Sequence, residues 1–203
     1  MSYYELWTIL GNWRREFTSG DFERTFPSPD SRKVLHDMAK KGLLERLEYG
    51  KYKVKSIDDY LKTKNDVMGA YDLLKKCKLS YALTDVDAVF AWTKGGYNVG
   101  RFFGFYPVHI KVREADLGRW KRYFKINGKK SFLIDTIPKE TLFGIFYILH
   151  QVKKMESEMV WGLKAETLAR TVEFCKKNIY SYEPALEMLN EEYKLGLMIR
   201  YSR

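Results

Sequence analysis

The sequence predicts an α+β protein of two domains, residues 1–62 and 67–203. Three observations predict it. Residues 3–54 carry helical periodicity that gives way to two short strand patterns around a glycine. Residues 62–66 (KTKND) are the most polar stretch of their region, and the periodicity changes after them. Beyond that break strand and helix patterns interleave, and the chain ends in helical ones. This is the order of a mixed α/β domain with a helical C-terminal part. With 203 residues, 45% of them hydrophobic and 16% aromatic, the chain can bury real cores and is not disordered.

The first helix is expected over residues 3–17, where Leu6, Ile9, Leu10, Trp13 and Phe17 share one face. Thr18 followed three residues later by Asp21 is a capping-box pattern, opening a short helix that runs to about Thr25. Pro27 ends it, because proline disfavours helix in the residue before it. A third helix follows, with Ser28 as cap and Pro29 at its first position. Val34, Leu35, Met38 and Ala39 form its inward face, and Gly42 stops it as a left-handed terminal glycine does. Residues 44–49 and 51–55 read as a hairpin about Gly50, with Leu47, Tyr52 and Val54 as its apolar contacts. Helix, short helix, helix and hairpin is the order of a winged helix-turn-helix.

A connecting helix is expected over residues 57–78, a strand over 79–83 and a short helix over 85–92. Residues 97–106 are aromatic and punctuated by glycine. Residues 108–112 alternate as a half-buried strand does. A helix over 116–124 puts Leu117, Trp120 and Phe124 on one side, and residues 131–134 read as a strand. Three helices are expected to close the chain, over about 138–158, 164–177 and 183–195, the last stopped by Gly196. The apolar run 142–149 is too short to span a membrane and reads as a buried helix face.

The net charge is +10, and residues 94–130 alone carry a surplus of +8. A basic stretch of this kind attracts phosphates at long range. Cys77 and Cys175 lie far apart and suit free thiols in a reducing cytoplasm. The N-terminal residues include Glu5 and show no cleavage pattern, so no secretion signal is expected. A single glutamine among many lysines and glutamates leans towards a thermophilic source.

The expected function is binding of double-stranded DNA. On the third helix the face left after packing carries Ser31, Arg32, Lys33, His36, Lys40 and Lys41, with Ser28 just ahead of it. Arginine or lysine there can donate to guanine edges, and serine can read either base. Lys51 and Lys53 on the hairpin would hold phosphates beside the groove. Asp30 and Asp37 share the helix with these cations, and winged helices also dock proteins, so an adaptor role stays open. A second phosphate-contacting surface is expected from Lys94, Arg101, Lys111, Arg113, Arg119 and Arg122, set among Tyr97, Phe102, Phe103, Phe105 and Tyr106.

Asp85 and Asp87 form an Asp-x-Asp pair, which on a strand could hold a divalent metal for nucleotidyl transfer. Here they open a helix and read as acids neutralising its N-terminus. No Gly-Ser phosphate loop precedes them, and the neighbouring strand offers His109 and Lys111 instead of a third carboxylate. His36, His109 and His150 are scattered and show no zinc spacing. No catalytic residue, metal or cofactor is therefore assigned.

Three segments carry a family resemblance: SRKVLHDMAKKGLLERLEYGKYKV, then SYALTDVDAVFAW, then NIYSYEPALEMLNEEYKLGL. Their order resembles the AbiEi type of antitoxins and transcriptional regulators of abortive-infection systems, and related archaeal winged-helix proteins. The resemblance implies a repressor of its own operon, paired with a nucleotidyltransferase toxin encoded beside it. It implies DNA contacts at Ser31, Arg32, Lys33, His36 and Lys51. It also implies a non-catalytic second domain distantly like a nucleotidyltransferase. The long helical tail and the charge of residues 94–130 depart from that pattern.

Overall fold

The computed structural model describes residues 1–101, 104–139 and 142–199. The protein is mixed α and β, with a three-stranded and a six-stranded sheet. It divides into two compact units, Met1–Asn65 and Asp66–Arg203. No helix among the described residues is long and apolar enough to cross a membrane.

In the first unit α1 (Tyr3–Trp13) is opened by a Ser2–Glu5 capping box, and α2 (Ser19–Thr25) by the expected Thr18–Asp21 box. After Arg15 the chain turns into β1 (Glu16–Thr18), so the helix expected to reach Phe17 ends early. The cause is long-range: Phe17 pairs with Tyr52 of β3 (Lys51–Val54), and both side chains are buried. β2 (Leu44–Glu48) completes an antiparallel sheet in the order β1-β3-β2. Between α2 and the hairpin lies α3 (Ser31–Lys40), whose Leu35 and Met38 are fully buried. It starts later than expected. Asp30, rather than Ser28, is its cap, accepting the Lys33 N–H at 2.9 Å. Gly42 sits at φ +78°, as its expected role requires. Leu47 is 42% exposed, so Tyr52 and Val54 alone supply the hairpin's buried contacts with Leu44. The expected helix over 57–78 is two helices. α4 (Ile57–Lys64) ends at Asn65, and Asp66 caps α5 (Val67–Lys76) by accepting the Gly69 N–H.

The second unit is built on strands β4 (Tyr81–Leu83), β5 (Phe105–Arg113), β6 (Lys130–Leu133), β7 (Gly144–Val152), β8 (Glu158–Val160) and β9 (Leu163–Ala165). Their order across the sheet is β6-β7-β5-β4-β9-β8. β5, β6 and β7 are parallel, β4 runs antiparallel to β5, and β9 runs parallel to β4. The helices are α5, α6 (Asp85–Trp92), α7 (Leu117–Ile126), α8 (Leu168–Lys177) and α9 (Ile179–Tyr193). One sheet face packs Val108, Ile110, Tyr147 and Leu149 into a core with Tyr71, Trp120 and Phe124. Phe124 stacks on Tyr147 with ring centroids 4.0 Å apart.

The largest correction concerns the expected helix over 138–158. Its centre is β7, a central strand buried on both faces, and such strands read as unbroken apolar runs. Residues 140 and 141 of that expectation lie outside the described residues. β8 and β9 were also missed. They form a hairpin through Trp161 and Gly162, both at positive φ, the signature of a type I′ turn. The last helix begins at Ile179, takes Pro184 into its interior, and ends at left-handed Lys194 before Gly196.

Candidate functional site

Two regions collect functional side chains. The first is the outer face of α3, where Arg32, Lys33, His36 and Lys40 are exposed and have no ion-pair partner among the described residues. The two acids of that helix are occupied elsewhere. Asp30 caps the N-terminus, and Asp37 accepts the Tyr3 hydroxyl at 2.9 Å. Ser31 is only 7% exposed, because the helix turns it towards the core, so it cannot read a base edge. Ser28 is half-buried ahead of the helix. Lys41 leans over the Tyr3 ring at 5.8 Å. On the hairpin, Lys51 lies 3.7 Å from Glu48. Lys53 stands opposite both Glu16 and Glu45 in the sheet.

The second region lies where β4 ends. Thr84 leaves that strand with its N–H donated to the His109 carbonyl, and α6 begins at Asp85. In the parallel register of β5 and β7, Lys111 lies opposite His150 and His109 opposite Ile148. Residues paired in this way share a sheet face, so His109, Lys111 and His150 emerge together. Two histidines 41 positions apart, on adjacent strands, thus become neighbours: His109 Nδ1 is 3.0 Å from His150 Nε2. Asp85 Oδ2 is 3.9 Å from the first and 3.6 Å from the second. Sequence spacing concealed this cluster, and the scattered histidines converge in space.

Burial lowers the pKa of both imidazoles below the ordinary histidine value, opposed for His109 by Asp87 and Asp85 and for His150 by Asp85. Both rings are therefore neutral at neutral pH and offer lone pairs. On the β9 side Glu166, 7% exposed, accepts hydrogen bonds from Thr84 and Lys111. It, too, was invisible in the sequence reading.

The two carboxylates of the Asp-x-Asp pair have separate fates. Asp87 is fully buried and accepts from the Arg101 Nη1–H at 2.6 Å, the Tyr71 hydroxyl at 2.6 Å and the His109 backbone N–H at 2.7 Å. Asp87 is thus committed to a buried arginine and two further donors, and the cluster that Asp85 joins does not include it. Burial raises the Tyr71 hydroxyl, and the neighbouring Asp87 charge adds to it. For Arg101 burial pulls downward, but Asp87, Tyr71 and Tyr106 outweigh it and leave the guanidinium held more firmly charged.

The expected second phosphate surface is largely taken up by these pairs. Arg101 is 1% exposed and belongs to Asp87. Lys111 pairs with Glu166, Lys94 with Glu192, and Arg119 with Asp116 at 3.0 Å. Arg113 and Arg122 are exposed without an acidic partner among the described residues. Tyr106 is buried beneath the Arg101 guanidinium, 4.3 Å from its ring centroid. Tyr97 and Phe105 pack on other rings, and Phe102 and Phe103 lie outside the described residues. Four of the six cations expected to form that surface are thus engaged in ion pairs within the unit. No protein-family model matches the chain, and no curated protein matches its sequence.

Proposed function

We propose that this chain is a cytoplasmic DNA-binding regulator that reads double-stranded DNA with α3, in the manner of a winged helix-turn-helix. By the AbiEi resemblance it represses the operon that encodes it and a toxin partner. The observation that carries the DNA reading is the outer face of α3. Arg32, Lys33, His36 and Lys40 are exposed there with no ion-pair partner among the described residues, while Asp30 and Asp37 are turned to structural bonds. A ten-residue helix is about 15 Å long and roughly 10–12 Å across, which suits a major groove about 12 Å wide. Arg32 and Lys33, near the N-terminal end, are placed to donate to guanine acceptors. Lys40 at the other end suits a phosphate contact, which positions the helix without reading sequence.

The test is binding of the full chain to two labelled duplexes, one of mixed sequence and one carrying the DNA upstream of its own gene. Affinity is measured over a range of salt. Replacing Arg32 and Lys33 together with alanine is expected to weaken binding and to lower the salt slope by about 2 if both reach phosphates. If both touch bases, selectivity for the upstream duplex falls instead. An unchanged affinity on both duplexes would remove α3 as the reading helix.

A further inference from the structure

We propose that Asp85, His109 and His150 bind one divalent transition-metal ion of the zinc class. The site lies in the second unit and is independent of the DNA reading of α3. Three ligand atoms face one another: His109 Nδ1, His150 Nε2 and Asp85 Oδ2, separated by 3.0, 3.6 and 3.9 Å. The point equidistant from the corners of such a triangle lies about 2.1 Å from each, where zinc keeps about 2.0–2.2 Å to imidazole nitrogen and carboxylate oxygen. An ion fits there with little movement of the three groups.

The ligands come from three different elements, which fixes them independently. His109 projects from the middle of β5 and His150 from β7, held in a continuous parallel ladder. Asp85 opens α6 with φ at +52°, a conformation that L residues seldom take and that, among them, asparagine and aspartate tolerate best. No side chain caps α6, whose N-cap is Thr84, and the Asp85 carboxylate faces the two rings. Left-handed backbone at a non-glycine residue gathers at functional sites, where the surrounding fold holds it.

Solvent reaches the cluster. The side-chain exposures are 36% for Asp85, 19% for His109 and 18% for His150. An ion could enter, and its remaining positions would be filled by water, as in sites with three protein ligands. Two imidazoles and one carboxylate select against magnesium and calcium, which prefer oxygen ligands, and towards zinc, cobalt or nickel. The neighbouring Glu166 is already committed to Lys111 and Thr84, so the set stops at three. The competing arrangement is a hydrogen bond between the two imidazoles, which a bound ion would replace.

The test uses the full chain stripped with a chelator and then titrated with Zn²⁺ or Co²⁺. Saturation at one ion per chain is expected, with cobalt giving visible bands and no thiolate charge-transfer band. In ring-proton NMR, zinc should shift the signals of two of the three histidines and leave His36 in place. Asp85→Asn and His150→Ala should each weaken binding by about 100-fold or more, beyond the loss usual for outer-shell changes. Far-UV circular dichroism checks that each variant is folded, and the NMR readout on the wild-type chain does not depend on them. No saturable binding, a thiolate band, a shift confined to His36, or folded variants that bind as the wild type would each overturn the site.

Discussion

Removing Arg101 or Asp87 tests whether the second aspartate of the Asp-x-Asp pair is structural. The pair is desolvated on both sides, with side-chain exposures of 1% and 0%. Arg101→Met leaves a buried carboxylate with two of its three donors, the Tyr71 hydroxyl and the His109 N–H. Asp87→Asn leaves a buried guanidinium without its counter-charge, and its Nη2 has no hydrogen-bond partner among the described residues even before the change. Breaking a buried pair from one side costs about 3–5 kcal/mol, because the surviving charge is stranded. Each single variant should therefore lose that much. The double variant strands no charge, so it should be more stable than the sum of the singles implies by about 2–3 kcal/mol. Urea unfolding of the full chain, read by hydrogen exchange of amides in β5 and β7, follows the second unit separately. If the singles prove additive, or Asp87→Asn costs less than about 1 kcal/mol, the pair is not what holds Asp87. An aspartate kept free for a metal would behave in that second way.

Two further outcomes are expected. Asp21 is held at a pKa of about 2, chiefly by the Thr18 backbone and hydroxyl. Its stabilising contribution is complete above the unfolded value of 3.8 and is lost as pH falls through about 2. Thr18→Ala should move its NMR titration midpoint back towards 3.8 and cost the first unit about 1 kcal/mol. Burial pushes the Cys175 thiol up to about 12, and Cys77 is also buried and free. Neither should react with a thiol reagent in the folded chain, and both should react together once it is unfolded. Rapid labelling of the native protein would contradict this burial.

Much of the first unit was legible because its signals are local. The Thr18–Asp21 box, the left-handed Gly42 and the hairpin about Gly50 act within a few residues of themselves. The Asp85–Trp92 helix and the alternating strand around 108–112 were legible for the same reason. What failed was set by distant partners. Phe17 lies four residues beyond Trp13 and fits a helix face, yet its pairing with Tyr52 makes it a strand residue. Residues 144–149 are apolar on both faces, and only the two flanking strands make them β. The turn at Trp161 and Gly162 needed a tryptophan in the left-handed region, which no local preference announces.

The site in the second unit was hidden by the same kind of distance. Read along the chain, His109 was an outward position in an alternating strand and His150 the tail of an apolar run. Neither had a spacing to a ligand. Parity could have suggested the outcome, had residues 144–152 been read as a strand beside 105–113. Within each parallel strand only alternate residues reach one face, so polar residues on like parity must gather there. His109, Lys111 and His150 are polar residues on that face, and the start of α6 supplies the acid. The Asp-x-Asp pair was meaningful, though not as a pair. One carboxylate anchors a buried arginine and the strand that carries His109, and the other turns outward to the two imidazoles. Asp87 thus has a positioning part in the proposed metal site without being a ligand. Its N–H acceptor contact fixes the backbone of His109 itself, so loosening Asp87 should loosen zinc even though no bond to the ion is removed.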